Sequence, residues 1–594
     1  MYPLNIRSRH LQTLTAYRME RLEKKRIKGH TYYYYSKWGR VGGRCRRLWQ
    51  KYLGKPDAIL HAVEGRGPAP QYAEVFHFGL SETLAKECRL ANIIDKVNTH
   101  CPKRQQGFSV GAYIAMAALN RAMHPLSKSA MFDWFTHTTL RRHFPHASRA
   151  SLASQRFWDH MDRLNAETTR TIWKDIITDV IAREAIGLDS VCYDGTNFYT
   201  FIDTFNTRCD IAKRGKNKQG RANLRQVSYA LFCDARSQVP LYYEVYEGNR
   251  HDAKQFPLMI ERFAQFLRDS FASALAISQL TMIFDKGNNS KDNFGLIDDL
   301  KLHYVGSIKL GEVKGLAAVS NQDDRWMPCQ TLGLEKTKCF RVTQSIYGKQ
   351  RMLIVTHNAN LFQTQSLTLH NDITKVMTEL DTLSQKLQER AQGLIKGGKC
   401  PTVDSITKQC KAILSRQYMK SIITYTVNMD SDTIPQLEYD IDYDAINQLS
   451  DTYLGKTIIV TDRESWDNEQ IILAYRSQFH IENVFKEMKD RAIGSWWPLY
   501  HWTDDKINVH SFYCTIAVLL RALVHRRVKA AGIDISMKRL LAELDEIKEV
   551  IVLYPRKRGA KTDPQHTVLS KTSELQQSLL SILDVKPEET VPLG

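Results

Sequence analysis

The chain has 594 residues, 43% of them hydrophobic, which is enough to bury several cores and excludes wholesale disorder. Lys and Arg outnumber Asp and Glu by 83 to 64, a formal net charge of +19 that favours a polyanionic partner. Eleven scattered cysteines form no CxxC pair, so zinc knuckles are excluded and reduced, buried thiols are expected; the N-terminus lacks a signal-peptide core, and no uninterrupted apolar run approaches the ~18 residues of a membrane helix. A soluble, intracellular, cytoplasmic protein without a membrane partner is expected.

Residues 1–66 form a basic, β-rich module. Arg7, Arg9, Arg18, Arg21, Lys24, Lys25, Arg26 and Lys28 precede the Tyr32–Tyr35 run, and Arg40, Arg44, Arg46, Arg47 and Lys51 follow it. Aromatic segments on either side of Gly39, Gly42 and Gly43 predict a hairpin with an aromatic face and a basic rim, suited to DNA-backbone contact. A solvated charged face on a packing module is the alternative. Glu64–Pro70 reads as a linker. Residues 71–186 are predicted to be an all-α domain for DNA binding or dimerisation, with Trp134, Phe144, Phe157 and Trp158 as core positions.

From 187 the pattern turns to strands. Ser190–Ile202, Gln226–Cys233 and Pro240–Tyr246 come first, then a helix over Phe256–Phe271, a strand over Leu280–Asp285, a helix over Lys291–Leu300 and a strand over His303–Lys309. Three meandering strands followed by βα crossovers predict a mixed sheet with helices on its faces, an α/β (mixed α+β) fold. Residues 187–310 form its first part. An insertion over 311–455 is predicted to hold strands near 338–357, an amphipathic helix carrying Ile373, Val376, Leu380, Leu383 and Leu387, a returning helix Val403–Leu414, and a strand over Ile422–Val427. Residues 456–525 complete the core with a strand at Thr457–Val460 and a long helix over 467–490. The region 526–594 reads as helical, with a basic turn at Arg556-Lys557-Arg558, and Thr515–Leu520 as core helix.

Asp194 lies in the first of these predicted strands and Asp285 ends the fourth. Taken singly, each reads as a turn former beside glycine, and Asp203, Asp234, Asp252 and Asp292 compete with them. On a helix of about 100° per residue, with Glu482 at zero, Tyr475 falls near +20°, Gln478 near −40°, Lys486 near +40° and Lys489 near −20°. One face of that helix therefore gathers a carboxylate, a phenol, an amide and two cations, while Ile481, Phe485 and Met488 face the core. An ordinary solvated face would look the same. Two metal ions roughly 3.5–4 Å apart, held by converging carboxylates, can activate water and stabilise a leaving alkoxide at a phosphodiester.

At these residues the chain resembles the DDE transposases of bacterial insertion sequences, and within them the superfamily named after insertion sequence four. Tyr475, Glu482 and Lys489 match the Tyr, Arg, Glu, Lys signature of its last catalytic helix; Gln478 stands at the Arg position, and Arg476 is two thirds of a turn away. Tyr193-Asp194-Gly195-Thr196, Arg214–Arg221 with Gln226, Gly248-Asn249-Arg250-His251-Asp252, Asp285-Lys286-Gly287 and Pro498–Trp502 with Ile507 and His510 are similar to further family blocks. The resemblance implies a ribonuclease-H-like core with an inserted strand and helical-hairpin domain, and Asp194, Asp285 and Glu482 as catalytic metal ligands. It also implies two Mg²⁺ or Mn²⁺ ions, terminal-inverted-repeat and target double-stranded DNA as partners, and a homodimeric synaptic complex.

Further DNA contacts are expected from Tyr475, Lys486 and Lys489 beside the scissile phosphate, and from Arg214, Lys216, Arg221 and Arg225 in the loop Arg208–Arg225, which also carries Arg208, Lys213 and Lys218. Trp496, Trp497 and Trp326 are candidates for stacking on a flipped base; core packing is the other reading of each. A transposase-derived DNA-binding protein without catalysis, or a nuclease of the same fold without strand transfer, are the competing functions.

Overall fold

The computed structural model describes residues 19–41, 44–63, 69–102, 107–216, 220–221, 223–271, 279–429, 434–556 and 564–587. Arg7, Arg9, Arg18, Gly42, Gly43, most of the 64–70 linker, Lys218, Lys557 and Arg558 lie outside the described residues. The chain divides into two compact units: Met1–His77 with Ile547–Thr572, and Phe78–Glu546 with Ser573–Gly594.

The smaller unit is richer in strand than its sequence suggests. β1 (Met19–Ile27), β2 (His30–Val41) and β3 (Arg44–Gly54) form an antiparallel sheet, followed by a helix over Pro56–Val63. β4 (Tyr72–His77) pairs antiparallel with Lys548–Leu553, which pairs in turn with Gln565–Leu569. Two expectations are thereby corrected. The predicted all-α segment 71–186 begins with a strand, and the region 526–594 is not wholly helical. The stretch Val550-Ile551-Val552 is β-branched, a composition that packs well on a pleated surface.

The larger unit is built on one sheet of mixed direction. β5 (Ser190–Tyr199), β7 (Arg225–Asp234) and β8 (Pro240–Glu247) are antiparallel neighbours, and the two-residue β6 (Lys213–Arg214) also edges β7. β9 (Thr281–Phe284) and β10 (His303–Ile308) lie parallel to β5 on its other side. The order β8-β7-β5-β9-β10, three antiparallel strands then two parallel ones, is a ribonuclease-H-like core.

The sheet continues beyond β10. After the short β11 (Met327–Pro328), β12 (Thr337–Ile346) and β13 (Lys349–Asn358) form a hairpin. β16 (Lys456–Thr461) then pairs with both β10 and β13. Thus the strands expected near 338–357 in the 311–455 insertion belong to the core sheet, while the one expected at Ile422–Val427 stays in the insertion. β13 is buried along Arg351–Thr356, as a strand covered on both faces must be. The true insertion starts at the 33-residue helix Ala359–Ala391. With the helix Val403–Ile413 and the hairpin β14 (Ile423–Asn428)–β15 (Gln436–Ile441), it encloses its own core around Val376, Leu380, Ile406, Cys410 and Leu437.

Helix Asp504–Ala530 is the one described helix long and apolar enough to cross a membrane, but 94% of its apolar window is buried inside the protein. Helices Gly79–Leu90, Val110–Met123 and Ala166–Glu184 pack against it, and all lie in the larger unit. Lys128 Nζ donates to Tyr513 Oη at 2.7 Å, and Arg521 donates to the carbonyls of Ala122 (2.9 Å), Arg121 (3.1 Å) and Ile493 (2.7 Å). These cations are buried, so each bond matters; an unpartnered buried donor costs about 1–3 kcal/mol.

Candidate active site

Register places the two strand acids side by side. Ser190 pairs with Thr281, Val191 with Met282 and Cys192 with Ile283. Carried two residues further, the same register sets Asp194 beside Asp285, on strands about 4.8 Å apart. Both acids are half-buried; Asp285 directly follows the carboxyl end of β9, and Asp194 lies midway along β5 beside it. On the next strand Gly306 pairs with Phe284, so Ser307 flanks Asp285, and its hydroxyl donates to Asp285 Oδ1 at 3.3 Å. Asp194 Oδ1 accepts from the Gly195 N–H at 2.7 Å.

Alternation along β5 decides which way Asp194 faces. Tyr193 packs 5.2 Å from Phe256 on one face. On the other, Cys192 Sγ is 3.5 Å from Ser477 Oγ, Thr196 Oγ1 accepts from Lys489 Nζ, and Phe198 stacks on Trp496 with ring centroids 3.9 Å apart. Asp194 shares this second face, which is covered by the helix bearing Glu482.

That helix is not continuous. Asn468–Arg476 and Phe479–Lys489 are separate helices meeting at Ser477-Gln478. The Ser477 hydroxyl bonds back to the Ala474 carbonyl at 2.7 Å, and the Gln478 N–H closes a tight turn on Tyr475 O at 3.2 Å. Tyr475 and Glu482 nonetheless stay within electrostatic reach of each other. The Tyr475 hydroxyl bonds to Ser307, and the carboxylates of Asp285 and Glu482 both act on it. Burial is the main cause that pushes this phenol up to about 12; the two carboxylates add to the rise and the Ser307 bond opposes it. It stays protonated and able to donate.

On the second helix Ile481, Val484, Phe485 and Met488 are buried, while Glu482 and Lys486 are exposed with Lys486 Nζ 3.7 Å from Glu482 Oε2. Lys489 is half-buried, its ammonium 5.5 Å above the Phe198 ring. Gln478 is buried at the position where the signature carries Arg. Arg476 does not replace it: its guanidinium donates to Gly333 O and Thr337 Oγ1, both at 2.8 Å, beside β12. Asp194, Asp285 and Glu482 are not among the described groups whose ligand atoms all lie within 4.8 Å of one another. The competing acids Asp203 and Asp234 serve turns instead, accepting from the N–H groups of Phe205 and Ser237, both at 2.7 Å.

Beside Lys489 opens a cleft of about 510 Å³ lined by Tyr199, Phe201, Arg221, Lys489, Arg491, Trp497, Pro498, Leu499 and Tyr500. Trp497 lies in it, stacked 4.3 Å from Tyr199. Trp496 is fully buried against Phe198, so its reading as a base platform is corrected to core packing: adjacent residues point to opposite sides, and only one of the two can face the cleft. Trp326 donates to Ser320 O at 2.8 Å and packs 4.8 Å from Phe340, likewise away from the acids.

In the basic loop, Arg214 and Lys216 are exposed and Arg221 stands 6.0 Å over Tyr199. Arg225 instead braces the loop, donating to Asn206 O at 3.0 Å and Thr204 O at 2.5 Å. Gly248 explains the glycine in its block: a Cβ there would stand 1.9 Å from Gln226 O. Thr196 and Tyr500 lay in the quoted family blocks without an assigned role, while Ser307, Phe201 and Arg491 escaped the sequence reading. Ser307 could have been found from the strand beside the second acid, whereas Phe201 and Arg491 have no local signature.

The family model described as a transposase DDE domain matches residues 190–520, more than half the chain. The chain is a DDE transposase. The matched segment holds the whole of the acid-bearing sheet and both helices of the site. Among solved structures, a piggyBac transposase synaptic complex with hairpin DNA aligns at 9% identity over 80% of this transposase and 82% of that chain, with a TM-score of 0.34. A pre-cleavage Mos1 transpososome aligns at 10% identity over 34% and 60%, with a TM-score of 0.15. No curated protein matches the sequence.

Proposed function

We propose that this transposase cuts DNA at the ends of its own element and joins the freed ends to target DNA, using Asp194, Asp285 and Glu482. The observation that carries the reading is geometric: Asp285 accepts from Ser307 of the neighbouring strand at 3.3 Å, and the helix bearing Glu482 covers the face of β5 that Asp194 shares, with Lys489 donating to Thr196. Asp194 is set beside Asp285 by register.

The donor set is hard carboxylate oxygen, which fits Mg²⁺ or Mn²⁺. A bound pair of such ions supplies water activation and charge stabilisation at the leaving oxygen. The protein's own groups orient the phosphodiester. Asp194 and Asp285 hold the site on a sheet packed from both sides, and Glu482 closes it from the helix. Tyr475, kept protonated, offers a hydrogen bond. Lys489, fixed by Thr196 and Phe198, brings positive charge to the phosphate; Lys486, Arg214, Lys216 and Arg221 extend it along the backbone. The aromatic cleft at Trp497 and Tyr199 receives an unpaired base.

In the first step a water oxygen bonds to phosphorus as the P–O3′ bond breaks, and the water proton ends on the released 3′-hydroxyl. In the second, that hydroxyl attacks a target phosphodiester, displaces its 3′ oxygen and gives up its proton to it. Two ends held in a homodimeric synapse would undergo both steps. Nicking and strand transfer into a supercoiled plasmid test the reading: Asp194→Ala should bind end DNA and cut none in Mg²⁺. Cutting at the wild-type rate by that variant would overturn the assignment.

A further inference from the structure

The β1–β3 sheet has two unlike faces. On one, the polar groups at its centre bond to one another. Trp38 Nε1 donates to Glu23 Oε1 at 2.6 Å, and Gln50 Nε2 donates to Glu23 Oε2 at 2.9 Å and to the fully buried Ser36 at 3.1 Å. Arg21 lies 4.7 Å over Trp38 and Lys25 4.7 Å over Tyr34.

The register puts a different set on the opposite face. Leu22 pairs with Tyr35, Tyr35 with Lys51, and Lys37 with Trp49, and Lys24 and Arg26 follow Leu22 by alternation. Leu22, Tyr35 and Trp49 are exposed by 57%, 36% and 43%, with the two rings 5.7 Å apart. Among the described residues Lys24, Arg26 and Lys51 have neither an ion pair nor a hydrogen-bond partner. An exposed face that joins apolar groups to unpaired cations lacks a partner supplying both negative charge and apolar contact.

Charge selects the partner. Residues 19–63 carry twelve Lys and Arg against three acids. Glu20 already pairs with Lys37, and Glu23 is enclosed on the other face by Arg21 and Arg47, so Lys24, Arg26 and Lys51 are left to meet an external anion. Shape selects the site. Three strands about 4.8 Å apart span roughly 10 Å, and a major groove is about 12 Å wide.

We propose that the exposed face of β1–β3 lies in the major groove of duplex DNA and reads its sequence. Lys24, Arg26 and Lys51 reach guanine O6 and N7, while Leu22, Tyr35 and Trp49 meet thymine methyl groups. The cations at the strand ends, Lys28, Arg44, Arg46 and Lys55, flank the groove and neutralise phosphates. That this DNA is the end of the element rests on the proposed function; sequence-selective duplex binding does not.

The test uses the full chain in EDTA, where cleavage plays no part, with a pool of randomised duplexes as probe. The wild type should enrich one motif, and methylation of guanine N7 within it should block binding. Lys24→Gln/Arg26→Gln/Lys51→Gln should lose the motif and on the order of 10²-fold or more in affinity for it. Leu22→Ser/Trp49→Ser, on the same face, should relax its A·T positions. Both variants should keep the wild-type melting temperature. Failure of the wild type to enrich a motif, the same motif at unchanged affinity in the triple variant, or tighter binding to single strands than to duplex would each overturn the proposal. A lost motif with intact nicking, or an intact motif without nicking, separates failure of this face from failure of the active site.

Discussion

The acid-bearing sheet and the N-terminal β1–β3 sheet differ in how many of their faces are covered. At β5 the sheet is buried from both sides, by Phe256 on one and by the Glu482 helix and Trp496 on the other. In β1–β3 one face is internally bonded and the other meets solvent. A two-sided sheet fixes the positions of Asp194 and Asp285 through packing that no single contact controls. A one-sided sheet leaves a row of side chains free to fit a partner. Reaction chemistry needs the first arrangement and recognition suits the second.

The sharpest way to test this contrast is to alter charge without altering packing. Asp285→Asn or Glu482→Gln should lower strand cleavage on the order of 10³-fold or more, with the melting temperature unchanged. If Asp285→Asn melted the sheet, the division between framework and chemistry would be broken. Next in size, Trp496→Ala should cost about 3–5 kcal/mol in denaturant unfolding. Trp497→Ala should cost far less there and act on binding of DNA with an unpaired base.

On the one-sided sheet, Glu23→Ala strips the acceptor from Trp38 and Gln50. It should cost about 1–3 kcal/mol, and faster amide exchange should be confined to β1–β3. Exchange spreading through β5 and β9 would contradict the separation of the two units. The smallest effect concerns Glu487, on the packed side of the Glu482 helix. Burial raises its carboxyl to about 7, with Arg521 opposing the rise. The folded state therefore holds this proton more tightly than the unfolded chain does. Its stability is greatest below the unfolded value and declines as pH rises through about 7. Glu487→Gln should match the wild type at pH 4 and exceed it by about 1 kcal/mol at pH 8, read as melting temperature against pH.

Much of the acid-bearing sheet was legible because its strands announce themselves locally. β5, β7, β8, β9 and β10 are compact apolar runs bounded by turn residues, and their predicted limits fall within a few positions of the observed ones. Tyr475, Glu482 and Lys489 were legible as a motif although the helix beneath them is broken. Neither Ser477 nor Gln478 is a helix breaker, so the interruption leaves no trace in the apolar periodicity. The partners of β13 were hidden for a different reason. A hairpin over 337–358 looks local, whereas its pairing with β16 spans nearly a hundred residues and is set by tertiary packing. Trp496 and Trp497 show the same limit at the scale of one residue: identical side chains, separated only by which way the backbone turns.

The insertion leaves and re-enters the core at a single point. β13 and β16 are antiparallel neighbours, and the Asn358 N–H donates to Gly455 O at 2.9 Å. Topologically the whole stretch from 359 to 454 is the loop of one hairpin, and closing entropy rises only slowly with loop length. Evolution could therefore have lengthened, exchanged or trimmed this graft without disturbing the strands that carry it. A tight two-residue turn joining 358 to 455 should leave a foldable miniature of the acid-bearing core.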